Sequence, residues 1–322
     1  MSKMILYIIL SMMLIVFDGG DIFAQTPSIN NLDSKITERF RKLCRTSHWE
    51  PVRAELLPFR THHTQGMTLM NGIWFLSTVE IIERTAPLLD DPVYDRTPGK
   101  GKGHLIAFDE NGKKINAIVL GKGDMYHPGG IDRDEHYLWV PVAEYRPNSR
   151  SIIYRVNPET LKPTEVFQFP DHIGAVVRDA EQNRLIGYSW GSRRIYVWNL
   201  DEGLNLKDPL ENTHQNYISN PQHFIDYQDC QFLGDGHALC SGILNYTGPG
   251  GQTYPLGGID LIDLESLRPV YQLPVELFTG GNRPRVMTQN PFYVETSENG
   301  LRFHFIPEDD KSRHYVFEVG VE

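Results

Sequence analysis

From Trp49 to Glu322 the apolar residues recur with a period of two, in short Val/Ile/Tyr/Phe/Trp-rich runs parted by Asn-Gly, Asp-Glu, Gly-Asp-Gly and Asn-Pro turns. Alternation sustained over such a length leaves no room for helices between the strands and points to a β-meander. The runs group into a repeating unit of four strands. In the first unit Gly66–Leu69, Ile73–Val79, His104–Asp109 and Ile115–Leu120 read as strands. In the second, Gly130–Arg133, Tyr137–Glu144, Ser151–Asn157 and Thr164–Phe169 do. Further units begin near His172, Gln228 and Arg285. The fifth stops after its third strand, His314–Val321, and Val52–Phe59 can supply the missing outer one, so that no sheet edge is left to pair with another chain. The expected architecture is an all-β, five-bladed β-propeller, a single domain over residues 49–322. A six-bladed ring would need a blade hidden between Leu200 and Pro221.

Ahead of the strands, residues 31–47 place Ile36, Phe40, Leu43 and Cys44 at helical spacing, with Asp33 or Ser34 as a cap. Residues 25–48 are therefore expected to form a short helical segment against the outside of the ring. Residues 1–24 read as a signal peptide: Lys3, an apolar run from Met4 to Phe17, and a cut after Ala24. A membrane anchor needs about 20 apolar residues, and Asp18-Gly19-Gly20-Asp21 interrupts the run too early. The mature chain is thus expected to be secreted or periplasmic, without a membrane span, and monomeric. Its net charge of −10 argues against nucleic acid as a partner. Cys230 and Cys240 flank Gly234-Asp235-Gly236 symmetrically, a placement that suits a disulfide and two reduced core thiols equally, with Cys44 left over.

The repeat also carries chemistry. His63-Thr64-Gln65-Gly66, His127-Pro128-Gly129-Gly130 and His172-Ile173-Gly174-Ala175 share a His-x-x-Gly/Ala pattern at the strand that lines a propeller's channel. Glu80 follows His63 by 17 residues, and Glu144 follows His127 by 17. In the first unit Asn71-Gly72 lies at the midpoint, so a two-residue hairpin would set His63 opposite Glu80; His127 would face Glu144 likewise. A carboxylate beside an imidazole raises its basicity or fixes its tautomer, which serves a general base and a metal ligand alike. His63, His127, His172, Glu80 and Glu144 are therefore the candidate catalytic residues. The three histidines, with Gln228 or Asp229 as a fourth ligand, are also the candidate holders of a divalent metal such as Mn, Zn or Ca.

The loops after the second strands contribute Arg84, Arg146, Arg150, Arg193 and Arg194, and Arg283 and Arg285 stand at the start of the fifth unit. With Tyr145, Trp190 and Tyr246 interleaved, they suit an anionic ligand with flat faces, such as a uronic-acid saccharide. Arg146, Arg193, Arg283, Arg285, Trp190 and Tyr246 are the candidate substrate-binding residues.

The run Thr64-Gln65-Gly66-Met67 through Phe75-Leu76-Ser77-Thr78 resembles the first blade of plant-type glutaminyl cyclotransferases, which are five-bladed propellers. That resemblance implies the fold. The family's glutamate before Ser-Thr, implicated in its catalysis, aligns with Leu76, and Val79 replaces its glycine. Over its whole length the chain resembles a family of secreted bacterial and fungal propeller proteins of unassigned function. The residues point first to a lyase acting on an acidic saccharide, in which a histidine takes the proton beside a carboxylate and an arginine or metal holds the developing charge. A glycoside hydrolase would instead use a carboxylate pair, from Glu80, Glu144 and Asp229. A glutaminyl cyclotransferase-like enzyme and a non-enzymatic sugar- or peptide-binding propeller are the remaining readings.

Overall fold

The computed structural model describes residues 29–208, 210, 216–220 and 224–321. The signal peptide expected over residues 1–24 lies outside the described residues. Five antiparallel sheets form the blades of a β-propeller. Blade one comprises His63–Met70, Ile73–Glu83, Lys100–Phe108 and Lys114–Leu120, from the axis outward. Blade two has a broken inner strand, His127–Pro128 and Asp132–Arg133, followed by Leu138–Ala143, Ser151–Val156 and Pro163–Phe169. Ile173–Asp179, Arg184–Ser189, Arg194–Asn199 and Ile218–Ser219 make blade three; Asp226–Gly234, His237–Thr247, Thr253–Asp263 and Arg268–Val275 make blade four. Blade five has Phe292–Thr296, Gly300–Phe305 and Arg313–Gly320, and its outer strand is Trp49–Leu56. The ring therefore closes by pairing its two ends, Trp49 opposite Val319. The segment that a six-bladed ring would have required instead supplies the outer strand of blade three.

The helix spans Ile29–Phe40, so Asp33 and Ser34 lie within it rather than at its start. Ile36, Phe40 and Leu43 pack into the core shared by blades four and five, whereas Cys44, beyond the helix end, is exposed and free. Among the described residues no helix is long and apolar enough to cross a membrane. Cys230 and Cys240 are directly opposite in blade four and form a disulfide.

Two features of the inner strands set the site. The first is a one-residue slip. The inner strand bulges between Thr64 and Gly66 in blade one, Ile173 and Ala175 in blade three, and Tyr227 and Asp229 in blade four. In blade two, His127 pairs with Ala143 while Asp132 pairs with Trp139, one residue out of step. A slip of one residue turns every side chain beyond it to the other face. The second feature is the closed axis. Asp229, fully buried, accepts backbone N–H groups of Met67 in blade one (2.8 Å), Ile131 in blade two (3.0 Å) and Phe292 in blade five (3.1 Å). Asp132 accepts those of Arg178 in blade three (2.8 Å) and Phe232 in blade four (3.1 Å). Two carboxylates thus tie all five inner strands together. Burial pushes both carboxyls upward, that of Asp132 to about 7, while the amide donors pull the other way. The strands crowd here: a Cβ on Gly130 would lie 2.5 Å from the Gln228 carbonyl oxygen, and one on Gly66 would lie 2.6 Å from the Gly130 Cα.

Candidate functional site

Above this plug the ring opens into a cleft of about 580 Å³ whose walls include His63, His127, Tyr145, Arg60, Arg84, Arg96 and Asp309. The His-x-x-Gly pattern explains its floor. The glycine, three residues along, packs at the crowded axis, and the histidine before the slip is left at the mouth.

His63 is the most elaborately supported of the three. Its Nδ1 donates to Asp309 Oδ1 at 2.8 Å, and Arg285 donates to Asp309 Oδ2 at 2.7 Å. Burial works to raise the Asp309 carboxyl, but its His63 and Arg285 partners outweigh it and hold it below the usual carboxylate range. With Nδ1 committed to Asp309, Nε2 is the His63 nitrogen left for a ligand. The ring of His127 lies 6.1 Å from that of His63 and stacks on Tyr145 at 4.3 Å. Its Nε2 is buried and without a hydrogen-bond partner. Burial, with His63 and His172 adding repulsion, pulls His127 well below the ordinary histidine range, so it is neutral at pH 7. His172 is 6.5 Å further on, donates from Nδ1 to the Glu144 carbonyl at 2.8 Å, and is pulled down by burial to about 4. Trp190 packs edge-on against His172 and beside Tyr145, with the Arg96 guanidinium 4.8 Å over its ring.

The structure thus gathers His63, His127, His172, Trp190 and, through Asp309, Arg285. It separates the expected His–Glu pairs. Because of the bulge, His63 faces Val79, and Glu80 turns to His62 and His104 instead. Glu144 is fully buried between Arg146 and Arg150, each 2.7 Å away, and meets the row only through its backbone carbonyl. Arg146 is spent on Glu144 and on the Tyr94 ring; Arg193 is spent on Asp226 at 2.7 Å. Arg283 is exposed in the loop before blade five, and Tyr246 stands exposed at the far end of a blade-four strand, opposite Tyr254. Gln228 is the bulged residue of blade four; its amide donates weakly to the Asp226 carbonyl, and neither it nor Asp229 reaches the cleft. The three histidines, with neighbouring ring centroids 6.1 and 6.5 Å apart, do not bring their ligand atoms within 4.8 Å of one another and so stand more openly than a three-imidazole metal site, which needs ring nitrogens roughly 3 to 3.5 Å apart. Leu76, at the position of the cyclotransferase glutamate, is fully buried in the apolar core beside Trp74.

Asp309, Arg60, Arg96 and His62 were not singled out by the sequence. Asp309 arrives from the loop between the second and third strands of blade five, and Arg96 from the long loop between Glu83 and Lys100 that folds across to blade three. Neither carries a periodic signal; the adjacent pair His62-His63 was the one legible hint.

A family of unknown function, DUF6454, matches residues 22–321, nearly the whole chain. The chain belongs to the DUF6454 family. The expected likeness to a propeller family of unassigned function is borne out for this DUF6454 member. No curated protein matches it in sequence. Among solved structures it is similar to a luciferin-regenerating enzyme (9% identity, TM-score 0.42, covering 84% of this chain and 99% of that one). It is also similar to a mannose phosphorylase from Leishmania mexicana in complex with phosphate ion (12%, 0.49, 88% and 92%). A third likeness is to the tail fibre of a Staphylococcus aureus phage (10%, 0.49, 89% and 56%).

Proposed function

We propose that the cleft binds an acidic saccharide and that the protein is an exported, monomeric lyase acting on uronic-acid residues. The observation that carries this reading is the Arg285–Asp309–His63 chain, which orients one imidazole with a free Nε2 at a cleft edged by Arg60, Arg84 and Arg96. Arg84 has no ion-pair partner among the described residues, and Arg60 and Arg96 hold surface carboxylates that a substrate carboxylate can displace. In the reaction the His63 Nε2 takes the proton beside the uronate carboxylate. The electron pair forms the new carbon–carbon double bond, the neighbouring carbon–oxygen bond breaks, and the imidazolium returns its proton to the leaving oxygen. Asp309 stabilises that imidazolium. Neutral His127, one ring away, keeps one N–H that can donate to the carboxylate oxygen as charge builds there. Tyr145, which lines the cleft, offers a flat face for a sugar ring.

Fully buried Glu144 and Asp229 cannot flank a scissile bond, so this geometry favours a lyase over a hydrolase built on those carboxylates. The test is a panel of polyuronates incubated with the full chain and followed by ultraviolet absorbance of the unsaturated product. Product from the wild type, with H63A and D309N reduced roughly 100-fold or more, is the expected result. Oligouronate binding without product would leave a binding propeller in its place, and neither binding nor product would end the saccharide reading.

A further inference from the structure

We infer that blade one carries a divalent-metal site of the zinc class, formed by His62, Glu80 and His104. The three residues come from adjoining segments: His62 just before the inner strand, Glu80 on the second strand and His104 on the third. The register places His104 opposite Thr78, two residues from Glu80, so the two side chains share a sheet face. The bulge at Gln65 brings His62 onto that face as well, because Thr64 faces Thr78 and His63 faces Val79. One donor atom from each lies within 4.8 Å of the others, and this is the one such group of histidine, cysteine and carboxylate side chains among the described residues.

Further observations point to an ion rather than to an internal hydrogen-bond network. The His104 Nε2 stands 3.5 Å from Glu80 Oε2 and has no hydrogen-bond partner. That distance is long for a hydrogen bond, but it is close to the separation of about 3.3 Å between two ligands held tetrahedrally at 2.0 to 2.1 Å. The His62 Nδ1 and Thr78 Oγ1 are likewise buried and unpartnered, so orphaned polar atoms gather on this face. The two imidazoles lie nearly parallel, 7° apart with centroids at 4.9 Å. His62 is also held at φ +55, a left-handed backbone uncommon outside glycine that must be maintained by its surroundings.

Two imidazoles and one carboxylate suit Zn²⁺ and its first-row neighbours better than Ca²⁺, which takes oxygen donors. Three protein ligands leave the fourth position of a tetrahedral ion open. His62 also lines the cleft, so the ion would stand at its rim, apart from His63 and independent of the reaction proposed above.

The test uses the full chain without an affinity tag, stripped with a chelator and titrated with Zn²⁺ by calorimetry, with bound metal counted by elemental analysis and Co²⁺ absorption reporting coordination. One ion per chain is expected, with affinity lowered roughly tenfold or more in E80Q, H62A and H104A and unchanged in H127A. Circular dichroism establishes that each variant is folded; should H104A not fold, the near-isosteric E80Q carries the test. No stoichiometric uptake, uptake that survives all three substitutions, or uptake lost in H127A instead would each overturn the inference.

Discussion

The axis and the mouth of this propeller are built from neighbouring positions of one repeat and finished in opposite ways. At the axis, the positions equivalent to Gly66, Gly130 and Ala175 are small or, in blade four, Asp229, whose carboxylate takes up amides from three other blades. Three residues earlier the same repeat supplies His63, His127 and His172; there His63 and His172 are held through Nδ1, and the buried Nε2 of His127 has no partner. Backbone amides forced together by ring closure demand acceptors, so the axial aspartates are scaffold. Polar atoms held open by packing around them, with nothing in the fold that needs them, are the mark of a place for a ligand.

The contrast is broken most sharply at Asp229. Replacing it with alanine strands buried amides in several blades, and chemical denaturation should show a loss of roughly 3–5 kcal/mol; a loss below about 1 kcal/mol would show that the axis does not need it. The next effect is in pH. A buried histidine lowered from 6.5 to about 4 stays neutral in the folded protein while the unfolded chain takes up its proton. The stability that His172 contributes is therefore present above about pH 6.5 and lost as pH falls toward 4, on the order of 3 kcal/mol in all. Asp132 titrates in the same window with the opposite sign. The measurement is accordingly the difference between the wild type and H172Q, which should shrink as pH falls; a difference constant with pH would contradict the burial argument. Smaller should be the cost of H127A, which removes no bond that the fold uses and leaves its neighbours Tyr145 and His172 in place. Its unfolding free energy should stay within roughly 1–2 kcal/mol of the wild type, and a loss as large as that of D229A would merge the two regions into one.

How far the sequence foresaw this division depends on which physical signal carried each part. The blades were legible because alternation and turn residues are local: Asn71-Gly72 forms the hairpin expected of it, and the ring closes with a strand only three residues ahead of the one anticipated. The row of histidines was legible from its recurrence. Their partners were not, because a bulge at Gln65 leaves no mark in the alternation yet moves Glu80 from His63 to His62 and His104. The same slip in blade two leaves Glu144 to Arg146 and Arg150. Asp309 was invisible for another reason: it comes from a loop of the last blade and meets His63 only once the ring has closed, across a separation of 246 residues.

The export of the chain is open to a direct check, since intact mass should show the loss of residues 1–24, and a mature protein retaining Met4–Phe17 would contradict it. The measurement that bears most directly on the mouth as a site distinct from the scaffold is made on H63A, with unfolding free energy and polyuronate elimination rate determined on the same preparation. The account predicts a stability within about 1 kcal/mol of the wild type and an elimination rate lowered roughly 100-fold or more. A variant that loses stability as D229A does, or that turns over substrate at the wild-type rate, would contradict it.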